Sequence, residues 1–396
     1  MTKYVIIGGG IAGTTAAEEL RKRDDSAFIT IIEHEEHPCY SRVLLPHYVK
    51  GVVVREKVFL KKLEWYTQSR IELMLGTRVT AIDTTNKFVA IDNGRELPYD
   101  ALLIAAGGEV NLADDDRRGV SYLHTLDDAD HLLALLAEVR TLPKEERNAV
   151  VYGGGFIALE YINIFAHYGL PTTVVMRGNG FWSRTLSVHA RELLTTHAKE
   201  KGVTLLTNVQ DIALEGDKEL THVVTNDGTR LPAHIMGVGV GIHTDYSMLD
   251  SAKIAYNCGI LANAHLETRV RDVYTAGDVA ECDHALFGRC LQTGNWLNAQ
   301  MQGRAVAKNM TGEPVAFNLL TSYATNLLGM HVVFIGDTSR SHADEVISHP
   351  PAGGATATSS VDLFMRDGRI VGATMVGDVT LRAAVTKAIQ EQRATV

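Results

Sequence analysis

Tyr4-Val5-Ile6-Ile7-Gly8-Gly9-Gly10-Ile11-Ala12-Gly13, answered further on by Phe28-Ile29-Thr30-Ile31-Ile32-Glu33, is the stretch that decides the fold. Tyr4 to Ile7 has the length and character of a buried strand, and the glycines after it stand at G-x-G-x-x-G spacing. A helical stretch carrying Ala16 and Leu20 comes next, then a second apolar run that ends in an acid. Each part has a physical reason. Gly8 allows the tight turn, Gly10 lets a pyrophosphate approach the backbone, and Gly13 lets helix and strand pack closely. The helix amino end then offers free N–H groups to the anion. Glu33 stands twenty residues after Gly13, where a carboxylate can take both hydroxyls of a ribose. Alone, the glycine spacing also fits an ordinary strand-to-helix turn; with strand, helix and acid in register it predicts a dinucleotide site.

The pattern recurs. Ala149 to Tyr152 reads as a strand, Gly153-Gly154-Gly155-Phe156-Ile157-Ala158 as the glycine turn, 159–168 as a helix and 172–176 as the next strand. Ala158 replaces the third glycine, a tolerated variant. Two such units, 145 residues apart from Gly8 to Gly153, imply two dinucleotide sites in one chain. The second lacks the acid: Met176 and Arg177 end its strand, and Arg184 follows. A guanidinium can pair with a 2′-phosphate that a carboxylate would repel, which favours NADPH over NADH. A solvated loop charge is the bland alternative for Arg177. Three further apolar runs end in small residues: Leu102 to Ala105-Ala106-Gly107, Ile235 to Gly239, and Val273-Tyr274-Thr275-Ala276-Gly277-Asp278.

The totals exclude several classes. A net charge of −9 over 396 residues leaves no basic surplus for nucleic-acid phosphates. No run of eighteen apolar residues suggests a membrane span, and a strand starting at Tyr4 leaves no room for a signal peptide. Cys39, Cys258, Cys282 and Cys290 form no C-x-x-C, so they read as reduced thiols of a cytoplasmic protein, with no metal site among them. Helices are expected over 57–68, 126–140, 292–310 and 381–392, with strands near 332–336 and 361–376 joined by Asp367-Gly368. Asp114-Asp115-Asp116 and Gly353-Gly354-Ala355 read as loops. The fold expected is α/β: two Rossmann-like three-layer dinucleotide-binding domains, the second inserted in the first, plus a small α+β C-terminal domain. Residues 1–112 and 243–315 would form the first domain, 113–242 the second, and 316–396 the third, a homodimer or partner face.

These motifs, in this order, resemble the two-dinucleotide-binding-domain flavoproteins of the pyridine nucleotide-disulfide oxidoreductase superfamily. The resemblance implies FAD at the first turn and NAD(P)H at the second. It would place Gly8, Gly10, Ile11, Ala12 and Gly13 at the FAD pyrophosphate, with Glu33 and His34 at the ribose. Val79 would meet the adenine, Arg42 the flavin or its phosphates, and Ala105, Ala106 and Gly107 the turn beside them. Asp278 would bind the ribityl chain, with a helix cap as its bland reading, and the helix amino end at Trp296 would face the flavin. NAD(P)H would fall to Gly153, Gly155, Phe156, Ile157, Glu160, Arg177, Arg184 and Gly239. The disulfide-reducing members carry a C-x-x-x-x-C where this chain has only Cys39 and Tyr40-Ser41-Arg42. The chain therefore resembles the thiol-free branch: rubredoxin and ferredoxin reductases, and the FAD portion of NAD(P)H nitrite reductases. Some of these pair a lysine with the glutamate at the Glu160 position; here His47 stands near the lysine's place, making a His47–Glu160 contact the expectation. The activity implied is electron transfer from NAD(P)H through FAD to a small carrier protein or partner reductase subunit. Two readings compete, an oxidase or quinone reductase and a redox-responsive interaction flavoprotein.

Overall fold

The computed structural model describes residues 1–111, 117–349 and 358–396; the acidic patch 114–116 and the glycine segment 353–355 lie outside them. The chain divides into two compact units, one of Met1–Val43, Arg55–Glu109 and Ile242–Thr321, the other of Leu44–Val54, Val110–Gly241 and Ser322–Val396.

In the first unit a parallel sheet runs in the order Val273–Thr275, Ala101–Ile104, Lys3–Ile7, Phe28–Ile32, Ile71–Met74. Successive side chains on a strand point to opposite faces, and here both faces are covered. Tyr4 and Ile6 pack with Ala16, Ala17 and Leu20 of the helix Ile11–Arg23. Val5 and Ile7 pack on the other side with Leu102, Ile82 and Val89. Burial on two faces is why the strands read as continuous apolar runs without polar alternation. Ile82 and Val89 belong to an antiparallel sheet of Val79–Asp83, Phe88–Ile91 and Glu96–Pro98.

The second unit repeats this plan strand for strand. Its parallel sheet runs Thr204–Leu206, Thr172–Val175, Ala149–Tyr152, Ile235–Val238, Val120–Ser121. A three-stranded antiparallel sheet, Ile212–Glu215, His222–Thr225 and Arg230–Pro232, again accompanies it. The helix expected over 126–140 runs Leu126–Val139, started by a capping box in which Thr125 and Asp128 satisfy each other's backbone N–H groups. The last region forms an antiparallel sheet ordered Ser322–Leu327, Met330–Gly336, Arg369–Val376, Ser360–Arg366, Glu345–His349. Asp367 and Gly368 both have positive φ, 50° and 68°, and close the hairpin. The helix Arg382–Gln390 buries Val385, Ala388 and Ile389.

Two expectations are corrected. The helix expected over 57–68 shortens to Leu63–Gln68, because residues before it pair with the segment 39–41: Ser41 N–H donates to the Val58 carbonyl (2.8 Å) and Leu60 N–H to the Cys39 carbonyl (2.9 Å). The helix expected from 292 begins at Trp296, where the Asn295 side chain accepts the Asn298 N–H at 3.1 Å. Gln292 instead ends the strand Arg289–Gln292.

Candidate dinucleotide sites

Gly8 sits at φ +101°, and a Cβ there would lie 2.2 Å from the Ala105 carbonyl oxygen. Only glycine allows the turn and the strand end at Ala105-Ala106-Gly107 to come this close. Nothing stands within 4 Å of where a Gly10 Cβ would be, so the backbone there is open to a bulky anion. The helix Ile11–Arg23, whose first turn holds Ile11, Ala12 and Gly13, has no acidic residue in that turn and no side-chain cap. Its positive end is left for a ligand.

Glu33 follows the second strand and is 8% exposed. Its carboxylate accepts the Gly9 N–H at 2.5 Å and the Glu35 N–H at 3.0 Å, and lies 3.1 Å from His34 Nδ1. Burial alone would push its pKa up; the hydrogen bonds from His34 and from the Glu35 and Gly9 N–H groups outweigh that and hold it below the usual glutamate value. Glu33, His34 and Glu35 also bring one potential ligand atom each within 4.8 Å of one another. A cavity of about 300 Å³ opens beside the turn, lined by Gly8, His34, Val79, Gly107, Arg78 and Asp245 among others. The first four were legible as site residues; Arg78 and Asp245 were not, since nothing in their local sequence marks them.

Arg42 donates to Glu35 Oε1 at 2.5 Å, and the Tyr40 hydroxyl to Glu35 Oε2 at 2.6 Å. Burial raises the Asp278 pKa, while the Arg42 charge and the Asn295 N–H pull it back. Gly277 N–H donates to the buried Gln302 side chain at 2.7 Å, which fixes the strand end that carries Asp278. Trp296 opens the helix Trp296–Met310, and one of its free N–H groups is already taken by Asn295. An open glycine cradle, a rigid ribose acceptor and a half-buried carboxyl that can accept a hydroxyl fit the parts of FAD.

In the second unit Gly153 (φ +130°) repeats the geometry of Gly8: a Cβ would lie 2.2 Å from the Gly239 carbonyl oxygen, and Gly155 is as open as Gly10. Ile7 pairs with Ile32 and Tyr152 with Val175, so the residue after each second strand is Glu33 in one unit and Met176 in the other. Met176 is buried, and its sulfur would stand 2.7 Å from a Cβ on Gly154. No carboxylate faces this turn from that position. Arg177 and Arg184 are both exposed, and neither is held in an ion pair among the described residues. The Phe156 ring stacks on Tyr323 (centroids 5.4 Å apart) and meets Trp182 and Phe334 edge-on, while Ile157 is exposed.

Two side chains oppose the burial of Glu160 electrostatically, the expected His47 and a second one, Lys50. Burial raises the Glu160 pKa; Lys50 is the first charge to oppose it, and His47 is the weaker second. The short helix Leu45–Val49 ends beside Lys50, whose N–H closes on the Pro46 and Tyr48 carbonyls. That turn of helix adds a second cation, three residues past His47, to the charges that act on Glu160. All four cysteines are free thiols. Cys39 is buried, and burial pushes its thiol up to about 11, far from a reactive thiolate.

Residues 2–303 match the model of the pyridine nucleotide-disulphide oxidoreductases. The chain belongs to this family. The NAD(P)H nitrite reductase of Bacillus subtilis is 28% identical over 383 residues, which is 95% of this chain and 46% of that protein. The chain thus spans less than half the length of that relative. The biphenyl dioxygenase system ferredoxin–NAD(+) reductase component of Paraburkholderia xenovorans is 29% identical over 333 residues, 84% of this chain and 80% of that protein. Among solved structures, a chain of the covalent putidaredoxin reductase–putidaredoxin complex aligns with TM-score 0.89 at 23% identity, over 99% of this chain and 93% of that one; this is a likeness of fold. Among the described residues no helix is long and apolar enough to cross a membrane.

Proposed function

We propose that this member of the family is an FAD-dependent NAD(P)H reductase that hands electrons to a small protein carrier, with FAD in the first unit and NADPH in the second. One observation carries the reading: the two folds repeat each other, and at the register position after the second strand Glu33 stands in one and Met176 in the other. The acid suits the free ribose hydroxyls of FAD. Its absence, with Arg177 and Arg184 unpaired nearby, suits a 2′-phosphate. Bound flavin would supply the exchange between a two-electron donor and one-electron acceptors. The chain's own residues hold and orient: Gly8 to Gly13 the pyrophosphate, Glu33 the ribose, Asp278 the ribityl hydroxyls, and Glu160 with Lys50 and His47 the nicotinamide end of the second nucleotide. A thiol relay is disfavoured by the buried, protonated Cys39, which supports a protein carrier of the kind named for the ferredoxin–NAD(+) reductase relative. The proposal extends to a cytoplasmic place and to the last region as a homodimer or partner face.

The test starts with colour. The purified protein should be yellow; a colourless protein that takes up no added FAD refutes the reading. Anaerobic NADPH should bleach it faster than NADH does, and a ferredoxin or rubredoxin should restore the colour. Reduced protein that reacts with oxygen or a quinone but with no carrier overturns the acceptor class. Slow bleaching into a long-lived complex would favour an interaction flavoprotein.

A further inference from the structure

Met176 is buried, and the residues that follow it, 177–187, carry both Arg177 and Arg184, the side chains assigned to the 2′-phosphate in the reading above. This segment forms no helix or strand; the Thr185 and Leu186 N–H groups close a turn on the Trp182 carbonyl at 2.8 and 3.0 Å, and Arg191 donates to the Asn179 side chain. Two further anchors are local backbone hydrogen bonds. Trp182, in the left-handed region at φ 40°, donates its N–H to the Gly154 carbonyl at 3.0 Å, and the Gly178 carbonyl accepts the Asn208 N–H at 3.0 Å. Two more come from the last region of the chain. Arg340 Nε donates to the Thr185 carbonyl at 2.9 Å, its guanidinium lying 5.9 Å from the Phe364 ring centre. Asp362, fully buried, accepts the Ser187 N–H at 3.2 Å. The Ser348 hydroxyl (2.6 Å) and the Thr374 hydroxyl (3.3 Å) fix its carboxylate. Ser187 in turn caps the helix Val188–Glu200, its hydroxyl accepting the Ala190 N–H at 3.3 Å.

The anchors bracket Arg184, with Trp182 before it and Thr185 and Ser187 after it, and Arg177 directly precedes the anchored Gly178. We infer that Arg340 and Asp362 are positioning residues for nucleotide selectivity, holding segment 177–187 so that Arg177 and Arg184 can meet the 2′-phosphate of NADPH. The inference rests on the NADPH reading above and gives the last region a role in substrate choice. Selectivity depends on orientation because a guanidinium–phosphate pair is directional, and a tether released on one side lets the fork swing away from the phosphate.

Arg340→Ala, Arg340→Lys and Asp362→Asn would be purified as holoenzymes and assayed with NADPH and NADH, using ferricyanide as acceptor. Binding of 2′,5′-ADP and 5′-AMP would be measured by calorimetry. Arg340→Ala should lower the NADPH:NADH ratio of kcat/KM by about 5- to 10-fold, the worth of one ordinary hydrogen bond. The change should lie in KM, with kcat within about twofold. Binding of 2′,5′-ADP should weaken by the same factor while 5′-AMP is unaffected, and Arg340→Lys should recover part of the loss. A general loosening of the fold would affect both nucleotides alike. An unchanged ratio and unchanged 2′,5′-ADP binding in yellow, folded Arg340→Ala would overturn the inference; if that variant does not fold, Arg340→Lys and Asp362→Asn are read by the same ratio. A wild type that prefers NADH and ignores 2′,5′-ADP would refute the NADPH reading separately. The positioning role would then stand or fall on whether Arg340→Ala raises KM for NADH at constant kcat.

Discussion

Glu33 gives the sharpest test of the first site, because one carboxylate must both hold its own turn and hold a ribose. Replacing it with alanine leaves the Gly9 and Glu35 N–H groups, now bonded at 2.5 Å and 3.0 Å, without an acceptor. An orphaned N–H costs about 1–3 kcal/mol when buried. Glu35 N–H can be rehydrated more readily than Gly9 N–H, so about 2–3 kcal/mol of apoprotein stability should go. The ribose loses two hydrogen bonds to a charged acceptor, nominally about 1.5–3 kcal/mol each. Water refilling the site recovers part, leaving about 3 kcal/mol, or roughly 100-fold in FAD affinity. Glu33→Gln keeps one acceptor oxygen but turns its NH2 towards an N–H donor, so an intermediate loss of about tenfold is expected. The assay is titration of apoprotein with FAD, followed by quenching of flavin fluorescence, alongside thermal midpoints of the apo forms. The pH dependence carries a definite sign. Glu33 is held below the usual glutamate value of 4.5, so its contribution is complete above that pH and is lost as pH falls through its own lower value. The Glu33 hydrogen bond raises the His34 pKa above 6.5; that contribution is present below 6.5 and is lost as pH rises through the raised value. Both limbs should vanish in Glu33→Gln. Folded Glu33→Ala with a lowered apo midpoint but unaltered FAD affinity would show that the carboxylate serves only the turn.

Three further outcomes follow from the same geometry. Gly153→Ala places a methyl 2.2 Å from the Gly239 carbonyl oxygen at a φ of +130°, a strain of about 1–3 kcal/mol or more that opens the turn. The variant should stay yellow and be bleached by dithionite, while KM for both nicotinamide nucleotides rises at least about tenfold. Burial holds the Glu160 carboxyl above the usual 4.5, so ionising it costs stability as pH rises through its own value. Glu160→Gln should therefore raise the thermal midpoint at pH 7, lose that advantage at about pH 4, and slow reduction by NADPH; a lower midpoint at pH 7 would mean that the Lys50 attraction outweighs burial. Cys39→Ala should leave turnover within about twofold, because a buried thiol at about 11 supplies no thiolate; loss of turnover with FAD retained would restore a thiol to the mechanism.

The parts legible in the sequence were those whose physics is local. The turn at Gly8, the acid at Glu33, the turn at Gly153 and the hairpin at Asp367-Gly368 each depend on residues within a few positions or on one strand pairing. Elements set by distant partners were not legible. Ser322–Leu327 and Glu345–His349 are mixed polar strands that the rest of their sheet holds in place. The helix before Gln68 gave way to extended pairing with residues 39–41. Lys50 was missed because counting along the chain ignores the turn of helix at 45–49 that returns it to Glu160. The contacts of Arg340 with Thr185 and Asp362 with Ser187 span 155 and 175 positions, beyond any periodicity argument.

The same contrast explains how one fold used twice can give two different sites. The backbone at Gly8 and at Gly153 is nearly interchangeable: positive φ, a carbonyl 2.2 Å from the missing Cβ, and an open glycine two residues on, Gly10 or Gly155. Backbone N–H groups and a helix end recognise a pyrophosphate, which both nucleotides possess, so this part has no reason to diverge. Discrimination has to come from side chains at the strand end. There Glu33 is locked by its own turn, through Gly9 and Glu35 N–H, and needs no outside support. Met176 supplies no polar atom, so the second site must recruit a longer segment, and a longer segment without helix or strand needs tethers. Selectivity for the second nucleotide is therefore expected to be the more sensitive of the two to substitutions far away in sequence, at Arg340 and Asp362.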